Sequence, residues 1–313
     1  MPPRTPIEPY VEDFRLLIIA RGNTRKHAAD TSKRIRRVIT AAGIARLADL
    51  TEPNVMRAIG HLRENGLGLE SCNHAIRSIK AFARWLHHTA VINANPLLPV
   101  RIFNARKDPR HPRRALTPDE CRQLLISTIA SDVDVRGMSA IERALLYETA
   151  VVTGLRSAEL RALRVESISR AGIEVDAQDT KNGRAALQPL PPDTLARIRA
   201  FAFRRRPGAR LFAMPQPSRV VHMLRADLRR AGIPYRDERG RYVDFHALRH
   251  TYISWLAGAI DNVRTVQELA RHSTITLTID RYCHVGQAEK QLAVDALPTL
   301  RITADNDDAR RSA

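Results

Sequence analysis

The chain has 313 residues, enough for two ordinary domains, and at 44% hydrophobic residues it can bury a core in each. Lys and Arg number 51 against 33 Asp and Glu, a net charge of +18, which points to a polyanionic partner. There is no apolar run long enough to span a bilayer and no basic start leading into an apolar signal core, which argues against a membrane-embedded or exported protein. An anionic membrane surface remains the alternative to nucleic acid. Cys72, Cys121 and Cys283 are odd in number and widely spaced; they read as neither a disulfide framework nor a metal cluster and suit a reducing cytoplasm.

The first hundred residues read as helices separated by short turns. The first runs from about Pro9 to Ala20, and the second from Thr24 to Ala42, crowded with Lys26, Lys33, Arg34, Arg36 and Arg37. A third follows the N-cap Thr51 and closes at Asn65-Gly66. The fourth opens at Ser71, with Ile76, Ile79, Ala83 and Leu86 at helical spacing and Arg77, Lys80, Arg84 and His87 largely on the other side. Residues 1–95 are expected to form a helical domain. Pro96, Pro99, Pro109 and Pro112, with six basic residues among them, mark 96–114 as a basic linker, although a solvated spacer reads the charges equally well.

A second domain, 115–300, opens on Thr117-Pro-Asp-Glu120, which has the pattern of a capping box. An apolar helix from Ala140 to Thr153 ends at Gly154. Short strands are expected at Ile173–Asp176 and Ala185–Leu190, joined through Thr180-Lys-Asn-Gly183, an Asn-Gly hairpin signal. Helices follow over about 192–205, 218–231, 246–257 and 263–271, and 301–313 reads as a frayed tail. The fold class is therefore mainly α with a small β-hairpin or sheet.

Three segments carry candidate chemistry. In Thr153-Gly-Leu-Arg156-Ser-Ala-Glu159-Leu160, Arg156 sits at a tight turn between helices and Glu159 lies one turn on, placed to orient it. In His246-Ala-Leu-Arg249-His250, His246 and Arg249 share a helix face. The third holds His272 and, ten residues later, Tyr282. A phenol is a poor nucleophile until positive charge stabilises the phenolate, and guanidinium forks match phosphate oxygens two at a time. Lys181, at the hairpin tip, could donate a proton to a leaving oxygen. Each residue alone reads equally well as structural; the set, in this order, points to an enzyme that cleaves and rejoins DNA.

These segments resemble the tyrosine recombinase (phage integrase) family, and the helical amino-terminal region is similar to that family's core-binding domain. The size resembles the two-domain Xer and integron-type members. The resemblance implies that Arg156 and Arg249 clamp the scissile phosphate and that Tyr282 attacks it to give a 3′-phosphotyrosyl bond. It further implies that Lys181 protonates the departing 5′ oxygen, that His246 assists proton transfer, that His272 hydrogen-bonds the phosphate, and that Glu159 supports Arg156. No cofactor or metal is implied. The implied partners are double-stranded DNA bearing a recombination site, three further copies of the chain on two duplexes, and possible accessory proteins. DNA contacts are expected from Arg77, Lys80 and Arg84 on the fourth helix and from Arg219 and Arg225 on the helix over 218–231. The apolar positions of Leu292–Leu297 are expected to dock on a neighbouring copy. The segment Leu269-Ala-Arg271-His272 departs from the family's usual Leu-Gly-His. Two other readings stay open: a catalytically silent DNA-binding protein of recombinase descent, and a type IB topoisomerase-like activity.

Overall fold

In a computed structural model, residues 5–135, 137–180 and 183–276 are described. Lys181, Tyr282, Leu292–Leu297 and the tail at 301–313 lie outside them. By its contacts the chain divides into two compact units, 1–111 and 112–313.

The first unit contains α1 (Glu8–Ala20), α2 (Arg25–Ala42), α3 (Glu52–Glu64) and α4 (Leu69–His88). Thr24 and Thr51 cap α2 and α3, their hydroxyls accepting from the backbone N–H groups of His27 and Asn54. α4 begins two residues earlier than its serine suggested, at Leu69, whose N–H is held by the Asp108 carboxylate at 2.9 Å. Its apolar stripe, Ile76, Ile79, Phe82, Ala83 and Leu86, is fully buried, and Phe14 of α1 packs on Phe82 and Trp85 at 5.6 and 5.4 Å between ring centres.

The proline-rich stretch after α4 falls within this unit up to His111, and Pro112–Arg114 fall within the second. Leu97 and Val100 are buried in the helical core, and Asn73 exchanges two hydrogen bonds with the Phe103 backbone at 2.8 and 2.9 Å.

The second unit contains α5 (Pro118–Ile129), α6 (Ala140–Thr153), α7 (Ser157–Ala162), β1 (Ile173–Val175), β2 (Ala186–Gln188), α8 (Pro192–Phe203), α9 (Pro217–Arg230), α10 (Phe245–Ala259) and α11 (Val263–Ala270). Thr117 and Glu120 form the expected capping box, at 3.1 and 2.9 Å. The strands are antiparallel, pairing Ile173 with Gln188 and Val175 with Ala186. They are shorter than expected, and a 3-10 turn at Ala177–Asp179 follows β1, so the connection is longer than a two-residue hairpin. Among the described residues no helix is long and apolar enough to cross a membrane.

The centre of this unit is α6, with Leu146, Tyr147 and Ala150 buried. Its Arg143, fully enclosed, is held by Asp227 of α9 through Nε at 2.9 Å and Nη2 at 3.2 Å, and the Tyr147 hydroxyl donates to the same carboxylate at 2.7 Å. Burial, followed by the Asp227 charge, pushes the Tyr147 phenol well above its ordinary pKa, so it remains a donor.

Candidate active site

Three helix junctions converge. α6 stops at Gly154, whose φ of 61° is left-handed and whose α-carbon lies so close to Tyr252 that an added Cβ would sit 2.3 Å from its ring. Only glycine satisfies both conditions. Two residues later Arg156 occupies the N-cap of α7. Its N–H is satisfied not by a hydroxyl but by the Glu159 carboxylate at 2.7 Å, and its Nη1 donates to the other oxygen at 2.9 Å. The anticipated support of Arg156 by Glu159 is therefore a double contact.

Arg249, one turn into α10, is buried and spans the other two junctions. Its Nη1 donates to the Gly154 carbonyl and its Nη2 to the Ala270 carbonyl at the end of α11. One guanidinium thus ties the turn carrying Arg156 to the turn carrying His272. His272 follows Arg271, and its backbone is fixed by Gln267 through bonds of 3.1 and 3.2 Å.

His246 opens α10 beside the N-cap Asp244, which is gripped by Arg113 through Nε at 2.8 and 2.9 Å. Its imidazole pKa is lowered to about 4, first because protein atoms displace water around it and then by Arg113 and Arg249, against the opposing pull of Asp244. His246 keeps an exposed surface, which water screens, and the lowered pKa leaves it neutral at pH 7. The depressed value also makes folding pH-dependent. The unfolded chain binds this proton first, so the contribution to stability is present above about pH 6.5 and is lost as pH falls toward 4. In an NMR titration the ring should change charge well below the ordinary histidine value of about 6.5, and Arg113→Met should raise that midpoint. A midpoint near 6.5 in the unaltered protein would contradict this picture.

Glu159 is almost fully enclosed, and burial alone would raise its pKa. The Arg271 charge, the Arg156 N–H and the two guanidinium hydrogen bonds outweigh that and hold it below the ordinary carboxylate range. Arg271 is the site residue whose role sequence reasoning did not assign. The signal was its position after α11, where φ is 51°, a left-handed conformation that costs an L-residue roughly 1–2 kcal/mol. Arg113 was placed in the linker, and nothing in sequence pairs it with Asp244.

A cleft of about 590 Å³ lies beside the turn of His272, lined by Thr180, Arg184, Gln267, Arg271 and His272 among others. The site thus brings together Arg156, Glu159, His246, Arg249 and the turn of His272. Lys181 and Tyr282 lie outside the described residues. Among those described, no group of His, Cys, Asp and Glu is placed to hold a metal ion. The arrangement suits an anion: guanidiniums fixed by backbone and carboxylate partners, with neutral imidazole beside them.

Residues 114–289 match the phage integrase family, and the chain belongs to that family. It is a tyrosine-type site-specific recombinase. It is 27% identical over 292 residues to a tyrosine recombinase of Thermosipho africanus, spanning 88% of this chain and 96% of that one. It is 28% identical over 241 residues to the tyrosine recombinase XerC of Pelotomaculum thermopropionicum, spanning 72% and 74%. The fold is shared with the Tn1549 transposon integrase in complex with a circular intermediate DNA, at a TM-score of 0.73 and 18% identity over 92% of this chain and 99% of that one. It is shared also with a lambda integrase from a tetramer bound to a Holliday junction, at 0.69 and 18% over 88% and 79%.

Proposed function

We propose that the chain cleaves and rejoins double-stranded DNA at a specific site through a 3′-phosphotyrosyl bond on Tyr282. The observation that carries this is the Arg249 guanidinium bridging the turns of Arg156 and His272, with His246 one helical turn away. Arg156 and Arg249 clamp the scissile phosphate and offset charge on its non-bridging oxygens. The Tyr282 oxygen bonds to phosphorus as the bond to the 5′ oxygen breaks, and Lys181 delivers the proton that leaves a 5′-hydroxyl. His246, neutral before DNA arrives, gains basicity when the bound phosphate offsets the arginines around it, and takes the tyrosine proton. His272 donates to the phosphate. A 5′-hydroxyl of the partner strand then attacks, the Tyr282 bond breaks, and the phosphodiester is restored without a cofactor.

DNA is held by phosphate contacts from both units. On α4, Arg77 and Arg84 are exposed, with Arg77 paired to Glu70 at 3.0 Å. Lys80 is occupied: its ammonium donates to the Leu98 and Val100 carbonyls, so it acts more as a clip than as a DNA contact. Arg219 and Arg225 are exposed on α9, with Arg225 lying over the Tyr235 ring at 3.9 Å. Four copies act on two duplexes, a reading that the tetramer of lambda integrase bound to a Holliday junction supports. Two duplexes bearing the same site, one labelled, should yield labelled hybrid products. Relaxation of supercoiled plasmid without hybrids would favour the topoisomerase reading, and binding with neither would favour a silent DNA-binding protein.

A further inference from the structure

Arg271 stands where physical chemistry would place glycine. It closes α11 in the left-handed region, and its side chain, 10% exposed, turns inward to the Glu159 carboxylate at 2.6 Å. Its Nε and Nη1 are buried with no hydrogen-bond partner among the described residues. Backbone strain and unpartnered donors both oppose stability, so stability does not explain why an arginine occupies this position. What the residue does provide is a link. Glu159 Oε2 receives both Arg271 Nη2 and the Arg156 N–H, while Oε1 receives Arg156 Nη1.

We propose that Arg271 is a positioning residue for the phosphate site: it anchors Glu159, Glu159 anchors Arg156, and the same contact ties the turn of His272 to the turn of Arg156. It leaves the cluster more positive than a single Arg156–Glu159 pair would be, because one carboxylate is shared by two guanidiniums. Without it, Glu159 keeps only its neighbours on α7 and the Arg156 side chain gains rotamers that miss the phosphate. This inference rests on the reading of Arg156 as a phosphate ligand.

The test measures single-turnover covalent adduct formation on a nicked duplex bearing the site that the wild-type protein selects from a random-sequence library. Affinity for that duplex and thermal unfolding are followed in parallel. R271G should remain folded at the assay temperature, because Glu159 keeps its Arg156 contacts and the left-handed strain is relieved, and should bind with little change, yet form adduct about ten- to a hundredfold more slowly, the scale of a slightly misplaced group. R271K, which keeps a charge on Glu159, should recover part of the rate. R156K/R271G should be little slower than R156K, because Arg271 works through Arg156. R271G cleaving at the wild-type rate, or the two substitutions multiplying in full, would overturn the proposal. So would a rate loss that merely follows a loss of stability. Absence of adduct from the wild type itself would instead fail the phosphotyrosyl reading, and this inference with it.

Discussion

Arg249→Ala should reduce single-turnover DNA cleavage by about a hundred- to a thousandfold or more, the range seen when one fixed donor to a developing oxyanion is lost. Two losses coincide at this position. The phosphate loses a guanidinium, and the carbonyls of Gly154 and Ala270, at two different helix ends, lose the buried group that joins them. Arg249→Lys separates these effects. Lysine keeps the charge, but its single compact ammonium cannot present a planar fork to two carbonyls while facing a phosphate. It should therefore remain well below wild-type activity, with DNA affinity largely kept. An alanine variant cleaving within a few-fold of wild type would remove Arg249 from the site.

Asp227→Ala should destabilise the second unit by about 3–5 kcal/mol, a large part of the roughly 5–15 kcal/mol that keeps a domain folded. The enclosed Arg143 guanidinium would then lack its counter-charge and the Tyr147 hydroxyl its acceptor, while Arg230 would lose a contact of 2.7 Å. Breaking one side of a buried ion pair is costlier than the pair is worth. Replacing both partners, as in Arg143→Met with Asp227→Leu, should therefore recover much of the loss. Urea unfolding of the three proteins decides this. Equal destabilisation by the single and the double change would show that the cost lies in packing and not in an abandoned charge.

The helices were legible because their buried faces repeat at helical spacing, as Ile76, Ile79, Ala83 and Leu86 do, and because threonines announced their starts. The site was legible as three motifs, and Arg156, Glu159, His246, Arg249 and the turn of His272 lie at the converging junctions. What escaped were long-range pairings. Arg143 and Asp227 meet across 84 positions, and Arg113 and Asp244 across 131, with no local pattern to link them. Leu97 and Val100 sit among prolines, so breaker residues concealed two core positions. Lys80 fell on the basic side of its helix, yet its charge is directed to backbone carbonyls that only the fold brings near. Arg271 was visible as an unexpected residue, but its purpose required the position of Glu159, 112 residues away.

The central claim is a covalent bond between Tyr282 and a 3′-phosphate. A nicked suicide duplex carrying the protein's own site, on which the cleaved fragment diffuses away and the intermediate is trapped, should give a protein–DNA adduct with the wild type. The adducted peptide should contain Tyr282, and Tyr282→Phe should bind the duplex equally well and give no adduct. An adduct that survives Tyr282→Phe, or hybrid products formed with no adduct at any time, would contradict the account.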